Sequence, residues 1–370
     1  MKVLHLISGG DGGGAKTHVL TLLRELNTDT EANLLCLGRG PLWDAAEKEL
    51  FNSRLCTGGF LRGVREVRAT LDGGDYDILH CHGARADLTA ALAGSRSGTK
   101  RLSTVHSDHT LDYLGRGVSG AAKEKLNGWA LRRMDALICV SDAMAETYRR
   151  RGFRRVYSIH NGVDVTAPTE SVPRRERSAV LGAEVSEEDI LLGAAARLEP
   201  VKDLGTLLRA MALTREPRLK LAIAGTGSQE AALRSLTEEL GLAGRVFFLG
   251  WVEDMEKFTA CLDAAALSSL SETFPYALTM AARYGLPAVS TAVGGVPELI
   301  EDGVNGFLVP AGDAAALAKA LDALCCEPLR RRMGEALRAK TAERFTLGAM
   351  GARQRGIYRE VLNGTGSGAV

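Results

Sequence analysis

The chain has 370 residues, more than one hydrophobic core usually holds, so we expect two domains. Hydrophobic residues make up 45% of the sequence and charged residues 25%, which is typical of folded globular proteins and excludes an intrinsically disordered chain. The 46 Lys and Arg residues nearly balance the 45 Asp and Glu residues, and the net charge of +1 excludes a general electrostatic attraction for nucleic acid.

Two further features of the sequence concern the compartment. No run of 18 apolar residues occurs, and Met1 leads directly into an apolar strand pattern instead of a charged leader with a cleavage site. These patterns predict a cytoplasmic protein. The seven cysteines form no CxxC pair and lie mostly in apolar runs, which predicts reduced, buried thiols rather than disulfides or zinc ligands.

Short apolar segments alternate with amphipathic helical segments through the first half of the chain. The predicted strands are VLHLIS (3–8), NLLCLG (33–38), YDILHCHG (76–83), RLSTVHS (101–107) and DALICVS (135–141). This alternation is typical of βαβ units, which form a parallel sheet covered by helices. Because ligands bind at the carboxyl ends of the strands in such sheets, we expect the functional residues just after the strands.

The first such loop is glycine-rich, GGDGGGAKT (9–17), and opens a helical pattern. The spacing Gly10-x-Gly12-x-x-Ala15 resembles a dinucleotide fingerprint, and Arg39 after the second strand could then accept the 2′-phosphate of NADP. A P-loop requires glycine where Ala15 stands. Two interpretations remain besides these: a loop whose backbone approaches a ligand at a helix N-terminus, or a tight turn alone.

All seven histidines lie in the first 160 residues. His80 and His82 alternate along one strand and share a face, whereas His106 and His109 follow the next strand. A metal site could be built from them, but no carboxylate cluster accompanies them, so we expect hydrogen-bond donors or core residues and no metal. The DxD-like tripeptide Asp75–Asp77 precedes its strand, at the opposite end of the sheet, and we interpret it as a turn.

A basic segment, RRRGFRR, follows the last strand-and-helix unit of the first half. One interpretation is a solvated helix end, where cations favour the helix dipole. The other is a docking patch for an anionic membrane surface, to which each basic residue contributes about 1 kcal/mol. The residues concerned are Arg149, Arg150, Arg151, Arg154 and Arg155.

The pattern stops over residues 165–188, which are polar and proline-containing and predict a linker. It restarts with ILLGAAARL (190–198), LKLAIAG (219–225), RVFFLG (245–250), DAAALSS (263–269) and PAVST (287–291). We therefore predict an α/β protein of two doubly wound, Rossmann-like parallel-sheet domains facing a cleft. Residues 1–165 form the first domain and 166–345 the second, and a C-terminal helix within 346–370 packs back on the first.

Charged residues follow two strands of the second domain. Arg197 ends one strand and Lys202 opens the next helix, and two cations at this place suit a diphosphate. Glu272 follows another strand, and Pro275 begins a helix whose first amides, within 273–276, would face an anion. A simple helix cap is the alternative interpretation.

Several motifs together resemble the retaining GT-B glycosyltransferases that use sugar nucleotides. They are HNGVD (160–164), ARLEPVKD (196–203), AGTGSQEAAL (224–233) and the long segment SETFPYALTMAARYGLPAVSTAVGGVPELIEDGVNGFLVP (271–310). The resemblance covers essentially the whole chain and is stronger in the second half. It implies that the glycine-rich loop lines the site near the donor phosphates and the acceptor, and is neither a P-loop nor an NAD fingerprint.

The resemblance also implies roles for particular residues. His106 would hydrogen-bond the transferred sugar and Glu272 would lie at the donor sugar, as the catalytic residues. The second glutamate of the family's E-x7-E motif, which usually holds the nucleotide ribose, is replaced by Met280. The residues implied to bind substrate are Gly13, Gly14, Arg197, Lys202, Gly225, Thr273, Phe274, Pro275, Tyr276 and Met280.

The function implied is transfer of a sugar from a nucleoside diphosphate, UDP-linked, to an unidentified acceptor, with retention at the anomeric carbon. The leaving diphosphate would help to deprotonate the acceptor, and protein cations would replace a metal cofactor. Met280 favours an alternative, a sugar-nucleotide-binding protein with weak or no transfer activity. An epimerase or phosphorylase on the same fold is a further alternative. Since many relatives act on lipid carriers, the five arginines could contact the inner face of a membrane.

Overall fold

A computed structural model describes residues 1–10, 13–49, 51–94, 98–110, 117–166 and 170–364 of the chain. The chain forms two compact units. Unit 1 consists of Met1–Gly162 together with the segment that begins at Leu347, and unit 2 is Val163–Thr346. The units divide between residues 162 and 163 and again between 346 and 347, whereas the sequence suggested boundaries at 165 and 345.

The described residues of unit 1 form a sheet of seven parallel strands in the order β3-β2-β1-β4-β5-β6-β7. The strands are β1 (Lys2–Ile7), β2 (Glu31–Cys36), β3 (Ser53–Leu55), β4 (Ile78–His82), β5 (Lys100–Val105), β6 (Ala136–Cys139) and β7 (Val156–Ser158). The helices between them are α1 (Gly14–Leu26), α2 (Pro41–Lys48), α3 (Phe60–Gly73), α4 (Ala84–Ala93), α5 (Gly117–Leu131) and α6 (Asp142–Arg150).

Unit 2 contains a sheet of six parallel strands among its described residues, in the order β10-β9-β8-β11-β12-β13. The strands are β8 (Ile190–Ala195), β9 (Leu219–Ala224), β10 (Val246–Gly250), β11 (Ala264–Leu267), β12 (Ala288–Thr291) and β13 (Gly306–Val309). The helices are α7 (Arg177–Leu181), α8 (Leu204–Leu213), α9 (Glu230–Glu239), α10 (Met255–Ala260), α11 (Tyr276–Arg283), α12 (Val296–Leu299), α13 (Ala314–Ala323) and α14 (Glu327–Arg344).

The central strands are buried on both faces because helices cover both sides of each sheet. In β1 every residue from Val3 to Ile7 is buried, and β11 is buried throughout. A strand of this kind is a continuous apolar run instead of an alternating one. The ten strands predicted from such runs are all present in the structure.

The chain ends in a helix, α15 (Leu347–Asn363), that returns to unit 1. Its apolar face, which includes Met350, Ile357 and Tyr358, joins the hydrophobic core formed by β1, α1 and β2. The Tyr358 hydroxyl lies 2.6 Å from Nδ1 of His80 on β4. The helix is therefore part of the core of unit 1.

The linker prediction for residues 165–188 was wrong in part. A 3-10 turn (Arg174–Glu176) and α7 lie within this range, whereas residues 167–169 are outside the described part of the chain. Arg177 is buried and donates to both carboxylate oxygens of Asp263, at 2.8 and 3.2 Å. The segment is attached to the sheet of unit 2 by a charged pair, which apolar periodicity does not reveal.

Among the described residues, no helix combines the length and the apolar character that crossing a membrane requires. The cysteines are all free thiols, five of them buried, with Cys325 partly exposed and Cys326 exposed.

Candidate active site

The first candidate site lies in unit 2, where the strand order of the sheet reverses. Chain order runs outward from β8 through β9 to β10, and then restarts on the other side with β11. The loops after β8 and β11 therefore diverge, and such a switch point is where parallel sheets bind ligands. Arg197 and Lys202 follow β8, and Glu272 follows β11. The structure thus brings three predicted site residues to one edge of one sheet.

Lys202 and Glu272 form a direct ion pair. The Lys202 ammonium donates to Glu272 Oε1 at 2.6 Å, and the Ser269 hydroxyl donates to the same oxygen at 2.6 Å. The side chains are 18% and 8% exposed, so the pair is largely removed from water. A charge-assisted bond in this environment holds both groups in a defined position. By contrast, Arg197 is exposed.

Backbone contacts hold Lys202 against the end of β11. The Ser268 hydroxyl donates to the Lys202 carbonyl at 3.0 Å, and the Leu270 amide donates to the Val201 carbonyl at 2.8 Å. Asp203, directly after Lys202, has a φ of 43° and so bends the chain sharply into α8. The lysine is therefore positioned by the loop on which it lies.

Two glycines permit close approach of neighbouring loops. Gly225 has a φ of 145°, and a Cβ there would lie 1.9 Å from the Ala196 carbonyl oxygen, beside Arg197. Gly294 has a φ of 54°, and its Cβ would lie 1.6 Å from the Glu272 carbonyl oxygen. Any side chain at either position would displace the loop that carries a charged site residue. Gly225 thus has a clear role in shaping the site.

The helix start near Glu272 differs from the expectation. Pro275 is the N-cap and α11 begins at Tyr276, and Pro275 has no N–H, so it cannot contribute an amide to an anion. Phe274 is 2% exposed, and its ring lies 5.1 Å from that of Phe345, so this side chain belongs to the core. Of the predicted group, the backbones of Thr273, Phe274 and Tyr276 retain an N–H.

Met280 occupies the fifth position of α11. Its neighbours Leu278, Thr279, Ala281 and Ala282 are buried, whereas Met280 is only partly buried. The methionine therefore lies at the edge of the buried face, one turn after the residues that follow Glu272.

A second candidate site lies at the corresponding place in the sheet of unit 1. There the strand order reverses between β1 and β4. The glycine-rich loop follows β1, and its Asp11 and Gly12 lie outside the described residues. Gly13 is the N-cap of α1 and Gly14 its first residue. In the part of the chain that the structure describes, a Cβ on Gly13 would meet no atom within 4 Å beyond its chain neighbours and the adjoining helix backbone.

Close packing also shapes this loop. A Cβ on Gly9 would lie 1.8 Å from the Gly38 carbonyl oxygen, and one on Gly40 would lie 2.7 Å from Gly10 Cα. Neither position has room for a side chain. Packing between this loop and the one that follows β2 thus requires glycine at positions 9 and 40, which are not part of the dinucleotide pattern.

Five histidines of unit 1 form a cluster, which we call the histidine cluster. His5 on β1 pairs in register with His80 on β4, and His82 lies two residues further along the same face. The cluster consists of His5, His18, His80, His82 and His106. The distance between the centroids of neighbouring rings is shortest for His80 and His82, at 4.3 Å, and longest for His18 and His82, at 5.9 Å.

Hydrogen bonds connect the histidine cluster internally and to its surroundings. His82 Nε2 lies 3.1 Å from His5 Nδ1, and His82 Nδ1 lies 3.3 Å from His106 Nε2. His18 Nδ1 lies 2.9 Å from Asn161 Oδ1, and because an amide oxygen only accepts, this nitrogen carries the proton. His80 lies between the hydroxyls of Tyr358 and Thr104, at 2.6 and 2.7 Å.

Burial keeps these imidazoles neutral. Loss of hydration lowers the pKa of His5 to about 3 and that of His18 to about 4. The pKa values of His80, His82 and His106 are lowered well below the usual value by the same burial and by repulsion from neighbouring imidazoles. Each ring therefore has one N–H and one lone pair at neutral pH.

The sequence-based grouping of His80, His82, His106 and His109 was wrong for one member. His109 does not join the histidine cluster, since its Nδ1 bonds the Tyr148 hydroxyl at 2.6 Å. His5 and His18 do join it, although the sequence offered no signal beyond their residue type, because strand pairing and the position of α1 bring them there. The tripeptide Asp75–Asp77 lies in the connection between α3 and β4, before the strand as the sequence indicated, with Asp75 at a φ of 48°.

The arginines of the basic segment are partly paired. Arg151 donates to both oxygens of Asp108 at 2.7 and 2.8 Å, and Arg150 donates to Glu146 at 2.8 Å. Arg149 and Arg150 form the last turn of α6, where cations are favourable. The interpretation as a helix end with paired surface cations therefore accounts for three of the five arginines, Arg149, Arg150 and Arg151.

Comparisons with known proteins agree with this architecture. The family model described as "Glycosyltransferase Family 4" matches residues 12–167, and that described as "Glycosyl transferases group 1" matches residues 182–340. The chain is 32% identical over 305 residues to the putative glycosyltransferase EpsD of Bacillus subtilis, covering 76% of each chain. It is 32% identical over 321 residues to D-inositol 3-phosphate glycosyltransferase of Stackebrandtia nassauensis, covering 80% of this chain and 70% of that protein.

Solved structures share the fold. Anabaena Alr3699/HepE, solved in complex with UDP-glucose, has a TM-score of 0.84 at 23% identity, covering 98% of this chain and 100% of that chain. Sucrose-phosphate synthase from Thermosynechococcus elongatus has a TM-score of 0.79 at 20% identity, covering 99% and 100%. The GT-B architecture expected from the sequence is confirmed.

Proposed function

The chain belongs to the glycosyltransferases, and on this premise we propose that it transfers a sugar from a UDP-linked donor to a hydroxyl acceptor with retention at the anomeric carbon. The observation that carries this proposal is the grouping of Arg197, Lys202 and Glu272 at the switch point of the second sheet. Two cations suit a diphosphate, and a carboxylate suits sugar hydroxyls. HepE, a protein of the same fold, has been solved with UDP-glucose, which supports a UDP-sugar donor.

The chemistry proposed is departure of the diphosphate stabilised by protein charge. As the bond between the anomeric carbon and the phosphate oxygen breaks, negative charge develops on the diphosphate, and Arg197 and Lys202 neutralise it. The leaving phosphate oxygen takes the proton of the acceptor hydroxyl, which attacks from the same face. No cation besides these side chains is needed for the diphosphate, so we propose that transfer requires no metal.

In this scheme, binding of the donor begins with a rearrangement of the Lys202–Glu272 ion pair. Lysine has three N–H donors and one of them is bound to Glu272 in the structure, so the ammonium can contact phosphate while keeping or exchanging this bond. Released from part of its bond to Lys202, the Glu272 carboxylate accepts hydrogen bonds from the donor sugar. The pair thus holds both groups ready before the donor binds.

We assign unit 1 the remaining roles. A neutral His106 can hydrogen-bond a hydroxyl of the transferred sugar, and the described residues leave open space beside Gly13 for a ligand. A relative at 32% identity is named for inositol 3-phosphate, a hydroxyl-bearing compound, which supports a hydroxyl acceptor. Contact of Arg154 and Arg155 with an anionic lipid surface belongs to the same proposal, and with it a peripheral cytoplasmic location.

A direct test begins with the donor. Native mass spectrometry against a panel of sugar nucleotides should detect a complex with a UDP-sugar, and incubation with candidate alcohols should then release UDP. Conversion of the sugar nucleotide without an acceptor would indicate an epimerase instead. Binding of no nucleotide sugar at all would contradict the proposal.

Met280 favours a second candidate function, a sugar-nucleotide-binding protein with weak or no transfer activity. A methionine accepts almost no hydrogen bonds, so a ribose at this place would lose the two that a glutamate offers. Tight UDP-sugar binding without release of UDP in any acceptor screen would favour this candidate.

A further inference from the structure

The histidine cluster contains three histidines whose ring nitrogens converge. One nitrogen from each of His18, His82 and His106 lies within 4.8 Å of the others. His18 and His82 are 1% exposed, whereas His106 is half-buried, so one side of the group is accessible to solvent. We propose that these three side chains form a binding site for a borderline transition metal ion, with Zn²⁺ as its principal occupant.

The distance between His82 and His106 fits two ligands of one ion. His82 Nδ1 lies 3.3 Å from His106 Nε2. Two imidazole nitrogens on a tetrahedral Zn²⁺ lie about 3.3 Å apart, given Zn–N bonds of about 2.0 Å. A metal between them would therefore need little movement of either ring.

His18 supplies the third lone pair. Its Nδ1–H donates to Asn161 Oδ1 at 2.9 Å, which leaves the lone pair on Nε2. Nε2 is buried and has no hydrogen-bond partner among the described residues. A ligating histidine characteristically donates its other N–H to an oxygen acceptor in this way, because the bond fixes the tautomer and the ring.

The surroundings of His82 complete the arrangement. Its Nε2 lies 3.1 Å from His5 Nδ1, so an Nε2–H donated to His5 leaves the Nδ1 lone pair directed at the site. A second group of three, His5, His80 and His82, is less suited to a metal, since both nitrogens of His80 bond hydroxyls. The group around His18 is therefore the site that we assign.

The ligand set determines the class of metal. Three imidazoles without a carboxylate suit Zn²⁺ and its neighbours in the first transition row, whereas Mg²⁺ and Ca²⁺ prefer oxygen. Three protein ligands leave a fourth position for water. The three ligands all belong to unit 1, and none of them is a member of the charged group formed by Arg197, Lys202 and Glu272.

The site has a functional consequence that rests on the proposed function. A metal bound to His106 occupies the lone pair of one ring nitrogen and fixes the ring orientation, so this nitrogen can no longer hydrogen-bond the transferred sugar. Zn²⁺ should therefore inhibit transfer, and a saturating donor should weaken the binding of Zn²⁺.

The test uses Co²⁺ as a spectroscopic probe on the full chain. A Cys326→Ser background removes the exposed thiol, the main competing ligand. We expect one Co²⁺ per chain, visible absorption of a tetrahedral ion without a thiolate charge-transfer band, and displacement by Zn²⁺. His18→Gln should weaken binding at least about a hundredfold and Asn161→Ala about 10- to 100-fold, as for loss of an outer-shell hydrogen bond.

His109→Gln is the matched control, because it removes a buried histidine outside the histidine cluster. The affinity and the stoichiometry of Co²⁺ binding to His109→Gln should equal those of the parent. Absence of a saturable Co²⁺ signal, or equal affinities for His18→Gln and His109→Gln, would overturn the site. If His18→Gln fails to fold by circular dichroism, the comparison of Asn161→Ala with the parent decides.

Activity is measured on metal-free portions of the same preparations, before any Co²⁺ is added. A protein that transfers sugar but binds no Co²⁺ contradicts the metal site alone. A protein that binds Co²⁺ through His18 but processes no donor contradicts the proposed function alone.

Discussion

Arg197 and Lys202 share a proposed role but differ in their surroundings. Arg197→Ala removes an exposed guanidinium, so we expect kcat/KM for transfer to fall about 10- to 100-fold without a change in thermal stability, since a charge-assisted bond contributes about 1.5–3 kcal/mol. Lys202→Ala should lower kcat/KM by the same factor. It should also lower the free energy of unfolding by about 1–3 kcal/mol, because Glu272 loses its partner.

Steady-state kinetics and urea unfolding measure these two effects. Lys257→Ala is the control, since this lysine is 73% exposed in a surface pair with Asp254. Unchanged kinetics in both site variants would remove the donor-site assignment.

Met280 allows a gain-of-function prediction. Met280→Glu restores an acceptor for two ribose hydroxyls, so UDP should bind about 10- to 100-fold more tightly, equivalent to about 1.5–3 kcal/mol. Methionine and glutamate have similar helix propensities, so α11 should remain intact. Calorimetry with UDP measures the effect, and Met280→Leu serves as the apolar control. If Met280→Glu binds no nucleotide better than the parent does, residue 280 does not contact the ribose.

Individual residues were predictable where chain position alone determines the contact. Arg197, Lys202 and Glu272 follow adjacent strands, and the carboxyl ends of parallel strands share an edge, so their grouping followed from the sequence. His5 and His18 were missed because strand register and the position of α1 bring them to His82. The burial of Phe274 was missed because its partner Phe345 lies 71 positions further along the chain.

At the scale of elements, α15 links the end of the chain to the histidine cluster. Tyr358 is fully buried, and its hydroxyl lies 2.6 Å from His80 Nδ1. Tyr358→Phe leaves this nitrogen without its partner, so we expect a loss of about 1–3 kcal/mol in the free energy of unfolding. Urea denaturation measures the loss. Leu362→Ala, at an exposed position of the same helix, should have little effect, and equal stabilities of the two variants would contradict the role of the hydroxyl.

The elements missed from the sequence are short. Strands β3 and β7 have three residues each at the edges of the first sheet, and β13 has four at an edge of the second. Runs of three residues contain no periodicity to detect. The four-residue strands β6, β11 and β12 were found because they lie inside their sheets and are buried throughout, whereas β13 is only partly buried. Helix α7 has five residues and is held through Arg177 and Asp263. Longer elements were found because burial on both faces produces a long apolar run.

For the whole molecule, the histidine cluster predicts a loss of stability in acid. The pKa values of His5 and His18 are about 3 and 4 in the folded state, below the usual 6.5 of an unfolded chain. The unfolded state therefore binds more protons below pH 6.5. The stability that these residues contribute is complete above this pH and is lost as the pH falls towards 3, by about 1.4 kcal/mol per pH unit for each proton.

Asp87 acts in the opposite direction. Burial raises its pKa to about 7, so its contribution to stability decreases between about pH 4 and 7 as the pH rises, which offsets one histidine. Urea unfolding at pH 7, 6 and 5 should still show a net decrease in the free energy of unfolding. His18→Gln removes one titrating group, so the decrease per pH unit should be smaller by the amount that one proton contributes. A stability that is constant or rises from pH 7 to 5 would contradict the neutral, buried cluster.

The central claim is retaining transfer from a UDP-sugar by the charged group of unit 2. Time-resolved proton NMR of the anomeric signals, during incubation of a bound UDP-sugar with an alcohol acceptor, tests it most directly. For a UDP-α-sugar we predict an α-linked product formed together with UDP, at a rate about 10- to 100-fold lower in Arg197→Ala. A β-linked product, or an equal rate in Arg197→Ala, would contradict the account.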